Sequence, residues 1–534
     1  MLDALQSVNR VRDTHHVTRY TFSLVRSTPF ASRHSARVRR WAFCVILAAL
    51  GLVSGTGCRS RTAGYYWPYP GFDLANSRFV RPPGPRLKGN WQFSRVWEAE
   101  DYLPEAQQLN PVSNSAARRL LVADIDRSPG PEIILSVDGS SAVLDRSGVL
   151  CRQSPPGEFN SSVFRAPDRS VSLVACSSNV VRVYPPARSP SAEVRRIHTS
   201  VPATEAVLVA LPRAPGSEPA SPTPSLLVTI EQIRSEPTRD RVPAGITAIK
   251  GYDPARDTEL WTYETGASVC HVWAVADVNG DTQPEVIIGT YGYEHGISVN
   301  GIADSSKAYV LCFSPRGELL WNQSFGDHRY LYTQALVTDL DGDAKSEVVV
   351  ACGSWDREFG SLMVLDGRTG TRRARFPSDN PLGYAFTGIA AADIDRDGQT
   401  ELCAVSSGRS ARVWILRPAV GHGGLAVVDS SEYSAGITET FVNADILAVA
   451  DFGGSPLPEL LIVLSRETQI DDDPYFCPSR ITESHIIVLD AGLADKKVIA
   501  LSSAPKLSAV ANLGRPAVKG VLVVTDRVEY YEPK

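Results

Sequence analysis

Short apolar runs rich in Val, Ile, Leu and Ala, separated by polar turns, recur along the chain from residue 121 to its end. Three of them run straight into an acidic loop, and a second apolar run follows each loop. Val272-Trp-Ala-Val-Ala276 leads into Asp277-Val-Asn279-Gly280-Asp281-Thr-Gln-Pro-Glu285 and out through Val286-Ile-Ile288. Ala335-Leu-Val-Thr338 leads into Asp339-Leu-Asp341-Gly342-Asp343-Ala-Lys-Ser-Glu347 and out through Val348-Val-Val350. Gly388-Ile-Ala-Ala-Ala392 leads into Asp393-Ile-Asp395-Arg-Asp397-Gly398-Gln-Thr-Glu401 and out through Leu402-Cys-Ala-Val405. Apolar, β-branched runs on both sides of a polar turn predict two strands joined by the loop. Oxygen-bearing side chains at positions one, three, five and nine of each loop give the alternation needed to wrap several oxygens around one hard cation such as calcium.

The same frame recurs with weaker loops in Leu121-Val-Ala-Asp124-Ile-Asp126-Arg-Ser128-Pro-Gly130-Pro-Glu132 and Ala448-Val-Ala-Asp451-Phe-Gly453-Gly-Ser455-Pro-Leu-Pro-Glu459. In all five, the first Asp precedes the Glu by eight residues. Segments near 171–184, 206–230 and 509–524 keep the strands without the loop. Loops begin at residues 277, 339, 393 and 451, intervals of 62, 54 and 58 residues, each with room for four strands. Repeats of this size predict an all-β chain folded as a single β-propeller over residues 91–534, with eight four-stranded blades. Seven is the alternative, because the unit near 171–184 is thin. Phe93-Ser-Arg-Val-Trp97 looks like an orphan outer strand of the Leu320-Trp321 kind, and pairing it with Val528-Glu-Tyr-Tyr531 would close the ring and remove an open edge.

The repeats resemble the FG-GAP/VCBS type of integrin α-chain propellers and many exported bacterial proteins. That family's loop runs Asp, x, Asp or Asn, Gly, Asp, Gly, two variable residues, then Asp or Glu. The resemblance implies structural calcium at about three sites: Asp277, Asn279, Asp281 and Glu285; Asp339, Asp341, Asp343 and Glu347; Asp393, Asp395, Asp397 and Glu401. Asp124, Asp126 and Glu132 are the next candidate set, although Ser128 replaces a carboxylate there. Each full loop keeps one of the family's two glycines (Gly280, Gly342 or Gly398), so part of each turn must be reached with a Cβ present.

Composition is that of a globular protein, with 21% charged and 43% apolar residues in a chain of 534. The formal net charge of −5 averages two unlike parts. Residues 1–58 hold eight Arg and two Asp, which leaves the remainder near −11 and argues against nucleic acid as a partner. Arg37, Arg39 and Arg40 precede the apolar run Trp41-Ala-Phe-Cys-Val-Ile-Leu-Ala-Ala-Leu-Gly-Leu-Val53, which is short for a membrane span and fits a secretory signal. Small residues before Cys58 resemble the lipobox of bacterial lipoproteins, with Gly55 where that family has Leu. The resemblance implies lipidation of Cys58, the alternatives being an ordinary signal peptide or an uncleaved anchor. The protein is therefore expected to be exported to the periplasm, outer membrane or cell surface and to meet the membrane through its N-terminus. The Pro-rich stretch 59–90 reads as a semi-rigid tether.

If the acidic loops join the first two strands of every blade, the connections after the second and fourth strands gather on the other face. That face collects Tyr291, Tyr293, His295, Tyr330, Tyr332, Trp355, Arg357 and Tyr384, aromatics interleaved with charge that suit a glycan or an envelope protein. No zinc spacing, nucleophile elbow, phosphate loop or dinucleotide fingerprint stands out. Seven cysteines follow Cys58, most of them inside apolar runs, which predicts buried free thiols. The expected function is non-enzymatic binding or adhesion at the envelope. A polysaccharide lyase is the alternative, because secreted rhamnogalacturonan lyases carry a similar calcium-bearing propeller. A second alternative is an assembly scaffold, because Leu260-Trp261 and Leu320-Trp321 look like the blade ends of quinoprotein-like propellers.

Overall fold

The computed structural model describes residues 79–80, 92–99 and most of 119–534. The longer stretches outside the description are 100–118, 186–193, 213–224, 326–331, 354–359, 378–384, 435–440 and 470–478. The stretch expected to be a signal, Cys58 and nearly all of the stretch expected to be a tether also lie outside the described residues.

Among the described residues there are eight antiparallel four-stranded blades, with strands in chain order except in blade 8, whose outer strand comes from the start of the propeller; Phe79–Val80 adds a short fifth strand to the sheet of blade 7. We number the blades by their inner strands: Arg119–Ala123 (blade 1), Glu158–Arg165 (2), Ala203–Ala210 (3), Val269–Ala276 (4), Tyr332–Thr338 (5), Ala385–Ala392 (6), Phe441–Ala450 (7) and Leu507–Ala511 (8). Each inner strand packs against the next, and the eighth packs against the first, so the sheets form a closed propeller. The described residues contain no helix. The thin second unit is a complete blade, which decides for eight over seven.

Closure follows the expected route. Phe93–Ala99 is the outer strand of blade 8 and pairs antiparallel with Val528–Pro533, Phe93 opposite Pro533 and Ala99 opposite Val528. Gln92 and Lys534 exchange two backbone hydrogen bonds of 3.0 and 2.8 Å beyond the strand ends. The two ends of the propeller's sequence are thereby stitched into one sheet, and the ordering entropy of closing the ring is offset by a full set of ladder bonds.

Second strands read as nearly unbroken apolar runs because both of their faces are covered by neighbouring blades. Glu285–Tyr291, Glu347–Gly353 and Glu401–Ser407 are buried from end to end, save Tyr291. The outermost strands differ: Leu425–Ser434, the outer strand of blade 6, shows no fully buried position.

Blades are also locked to each other at the rim. Trp261, on the outer strand of blade 3, lies over Gly317 in the turn between the last two strands of blade 4, and its indole N–H donates to Pro315 O at 3.1 Å. Trp321 of blade 4 repeats this on Gly370 of blade 5, donating to Gly367 O at 2.9 Å, and Trp97 of blade 8 lies on Gly148 of blade 1. All three glycines have positive φ, between 68° and 85°. A Cβ there would stand 2.4 to 2.8 Å from the indole. Blade 2 makes the corresponding contact with polar side chains, His198 Nδ1 lying 2.7 Å from Asp257 Oδ2 of blade 3.

Gly317→Ala and Gly370→Ala should each cost about 2 kcal/mol, through a left-handed backbone that disfavours Cβ and the displaced indole. A thermal melt checks this, and an unchanged melting temperature in either variant would show that the rim contact is not a fastening.

Candidate metal centre

Acidic loops join the first and second strands of blades 4, 5 and 6, as their spacing predicts. What closes each loop is its last residue. Glu285, Glu347 and Glu401 are buried, with 1% or less of their surface exposed. Each accepts a hydrogen bond from the backbone N–H of the second loop residue: Val278 N to Glu285 Oε2 at 2.9 Å, Leu340 N to Glu347 Oε2 at 2.9 Å and Ile394 N to Glu401 Oε2 at 2.8 Å. Val278, Leu340 and Ile394 are themselves buried, so an apolar side chain pins the loop while its amide holds the carboxylate. The weaker loops of blades 1 and 7 keep this bond, Ile125 N to Glu132 at 2.7 Å and Phe452 N to Glu459 at 3.0 Å. Asp124 is described there and half-buried, whereas Asp126 lies outside the described residues.

Side-chain oxygens at positions one, three and five accept from the loop's own amides. In blade 4, Asp277 accepts from Gly280 N (2.7 Å) and Thr282 N (2.8 Å), Asn279 from Asp281 N (2.8 Å) and Asp281 from Gln283 N (2.7 Å). Blade 5 repeats the set with Asp339, Asp341 and Asp343. In blade 6, Asp393 accepts from Gly398 N, Asp395 from Asp397 N and Asp397 from Gln399 N. Positions four and six are left-handed in all three: Gly280 and Thr282, Gly342 and Ala344, Arg396 and Gly398. Each loop thus adopts the two-glycine backbone with a single glycine.

The three loops differ in charge. Oxygens of Asp339, Asp341 and Glu347 lie within 4.8 Å of one another, as do those of Asp393, Asp395 and Glu401, and either set could hold a metal ion. In blade 4 the third position is an amide, and Asn279 Nδ2 donates to Glu285 Oε1 at 2.8 Å. Blades 5 and 6 put a guanidinium at that point instead. Arg373 lies 2.6 Å from Glu347 Oε1 and 2.5 Å from Asp366, and Arg417 lies 2.7 Å from Glu401 Oε1, 2.5 Å from Asp395 and 3.0 Å from Asp397. Sequence reasoning missed these arginines, which sit on the later strands of the same blades, 26 and 16 residues beyond the glutamates they meet.

Electrostatics reflect this. Burial, with the Asp281 and Asp277 charges behind it, pushes the Glu285 carboxyl up to about 7 against the pull of the Val278 N–H. Glu347 and Glu401 are also pushed up by burial, while their loop amides and Arg373 or Arg417 hold them back.

A cavity of about 490 Å³ lies beside the blade 5 loop. Asp339, Asp341 and Arg373 give it a charged wall, and Val364, Ala374, Pro418 and Leu425 an apolar one. The other face is described in part. Tyr291 is half-buried, its ring edge-on to His271 at 5.3 Å, and so belongs to the packed interior more than to an exposed patch. Tyr332 opens the inner strand of blade 5. Tyr293, His295, Tyr330, Trp355, Arg357 and Tyr384 lie outside the described residues. One described element on that side was not anticipated. Ser298–Val299 and Ile302–Ala303 form a small hairpin around Asn300 and Gly301, which docks on Gly266 with Gly266 N donating to Ile302 O at 3.1 Å. The Asn-Gly pair between two β-branched residues was the available signal.

The cysteines of the apolar runs are buried, Cys176, Cys312, Cys352 and Cys403 among them, and burial pushes the Cys403 thiol up to about 12.

No family model matches the chain, and no curated protein does. Solved structures do. Saccharomyces cerevisiae Sqt1 aligns at 9% identity and a TM-score of 0.44, covering 78% of this chain and 97% of that one. A Bacillus licheniformis rhamnogalacturonan lyase aligns at 14% identity and 0.30, covering 82% and 91%. The V. cholerae biofilm matrix protein Bap1 aligns at 12% and 0.33, covering 81% and 80%. Likenesses this distant assign no activity, and the propeller rests on the chain's own sheets.

Thr282 and Ala344 carry a Cβ at φ of 70° and 63° on exposed loop positions. Thr282→Gly and Ala344→Gly should each stabilise the protein by about 0.5–1 kcal/mol, the left-handed strain relieved less the entropy glycine brings. Melting temperatures decide it, and a fall in both variants would contradict the strain.

Proposed function

We propose that this chain is an exported, non-catalytic binding propeller of the cell envelope, fastened by calcium on one face and carrying its ligand face on the other. The observation that carries the calcium half is the shared loop geometry. In blades 5 and 6, three carboxylates converge around a point on a backbone already bent to the required shape. Asp, Asp and Glu oxygens are the donors a hard divalent cation takes. Asp339, Asp341, Asp343 and Glu347, and Asp393, Asp395, Asp397 and Glu401, would hold the ions. Asp277, Asn279, Asp281 and Glu285 would hold a third with one charge fewer. The ion supplies positive charge to carboxylates clustered around a buried one.

The non-catalytic half is supported by how the basic and phenolic groups are held. A general base for a lyase needs a Lys or Tyr whose proton leaves readily. Lys250 is moved the opposite way: burial alone would lower it, but its contacts with Glu259 and Glu231 outweigh that and hold the ammonium charged. Burial and Glu529 push Tyr531 up to about 12, and Tyr184, Tyr252 and Tyr263 also move up. The ligand face is sought opposite the acidic loops because Tyr293, His295, Tyr330, Trp355, Arg357 and Tyr384 fall in connections after second or fourth strands. A glycan or an envelope protein is the class of ligand this mixture of rings and charge suits.

Calcium should raise the melting temperature, chelation should reverse the rise, and readdition should restore it. The sign of the pH dependence follows from Glu285. Its carboxyl is shifted above the usual range, so the stability its protonated form contributes is complete below about 4.5 and is lost as pH rises through about 7. A bound cation cancels that loss and releases the proton. The calcium-induced rise in melting temperature should therefore be larger at pH 8 than at pH 5.5, and an equal or reversed difference would remove calcium from this site. A glycan and polyuronide panel tests the rest: retention without growth of unsaturated-product absorbance is expected, and absorbance growth would establish the lyase instead.

A further inference from the structure

Two residues of the stretch read as a tether are part of the propeller. Phe79–Val80 runs parallel to the inner strand of blade 7, Phe79 opposite Val449 and Val80 opposite Ala450. The pair also lies beside the inner strand of blade 6, at the wall of the central channel.

An inner strand has a sheet partner on one side only, and its other edge presents N–H and C=O groups that need partners. In blade 7 that edge is accounted for at both ends. Toward the ligand face, Val442 N donates to Gly408 O of blade 6 at 2.7 Å and Gly408 N donates to Val442 O at 3.1 Å. Next to it, Thr387 Oγ1 donates to Ala444 O at 2.6 Å and Ala444 N donates to Ser407 Oγ at 2.9 Å. Blade 6 thus seals this half. Toward the acidic-loop face, Val449 and Ala450 meet Phe79–Val80 instead.

The rest of the path is consistent. Val449 and Ala450 directly precede the blade 7 loop, and Phe93, where the chain enters blade 8, packs edge-on against Phe452 of that loop at 5.6 Å. Both anchor points of the N-terminal segment therefore lie at the same end of their blades.

We infer that the loop-side end of the inner edge of blade 7 is a strand-accepting site, filled in cis by residues 79–80, and that the partner it fits is an extended peptide adding in parallel. Main-chain bonding supplies the attraction in strand addition. Two residues make few such bonds, so a longer strand offered in trans can displace them. The inference does not depend on calcium or on the ligand face.

Hydrogen exchange on the full chain carrying Phe79→Pro and Val80→Pro tests it, because proline cannot donate to the ladder. Amides of residues 446–450 should exchange at least about tenfold faster than in the unaltered protein, while those of Glu285–Tyr291 stay protected. A labelled peptide of residues 73–84 should bind this variant saturably, restore protection at 446–450, and bind the unaltered protein at least about tenfold more weakly. Unchanged exchange at 446–450, or faster exchange that saturating peptide does not reverse, would overturn the proposal. Equal binding of the peptide to both proteins, or equal binding of a scrambled peptide, would overturn it as well. Loss of protection in Glu285–Tyr291 would mark a folding defect; Val80→Pro alone then repeats the test under the same criteria.

Discussion

The constraint on which the acidic face depends is a carboxylate buried at the foot of the first-to-second-strand loop in five of the blades. Burying an ionised group is costly unless it is hydrogen-bonded and its charge is met. Five blades solve the first half identically, with the amide of the second loop residue donating to the glutamate. They solve the second half differently. Blade 4 sets an amide side chain against Glu285, and blades 5 and 6 set a guanidinium against Glu347 and Glu401. The constant interval from first Asp to Glu is therefore the trace of a backbone requirement, and it survives in blades 1 and 7, where Ser128, Gly453 and Ser455 replace acidic or amide side chains of the full loops.

A second kind of lock acts around the rim, and it explains why glycine and tryptophan recur out of phase. Each tryptophan sits on one blade and its glycine on the next, so the pair is separated by most of a repeat in sequence. At the junction of blades 8 and 1 the same contact, Trp97 on Gly148, falls where the chain begins and ends its circuit. The closing strand brings a ladder of bonds to its own sheet and an indole to its neighbour. Closure is thus held from two directions.

Much of this was legible in the sequence. Apolar runs at a steady period gave the blades, because burial on two faces imposes them, and the orphan Phe93-to-Trp97 segment gave the closure, because its Trp matches that of other outer strands such as Leu319–Phe325. The missing second glycine of each loop was readable as strain, and Thr282, Ala344 and Arg396 carry it. What was not legible depends on partners distant in the chain. Arg373 and Arg417 look like solvated strand residues until the strands are aligned and their side chains fall over the loop. Tyr291 reads as an exposed aromatic after a strand, yet the strand continues to it and turns its ring onto His271. Phe79–Val80 carries no signal at all, since a two-residue strand amid prolines has neither period nor length.

The arrangement of the loop oxygens bears on whether these sites do chemistry. In blade 4, Asp277 is held by two loop amides, Asn279 and Asp281 by one each, and Glu285 by an amide and the Asn279 side chain. Groups committed in this way are rigid, and a cation placed among them would be ringed by protein. A catalytic metal needs the reverse, an open position facing a space where substrate can sit. The cavity beside blade 5 does offer space, but its charged wall is formed by Arg373 already engaged with Glu347 and Asp366. The carboxylates of blades 5 and 6 that could hold a cation are therefore already engaged, by their own loop amides and by Arg373 or Arg417.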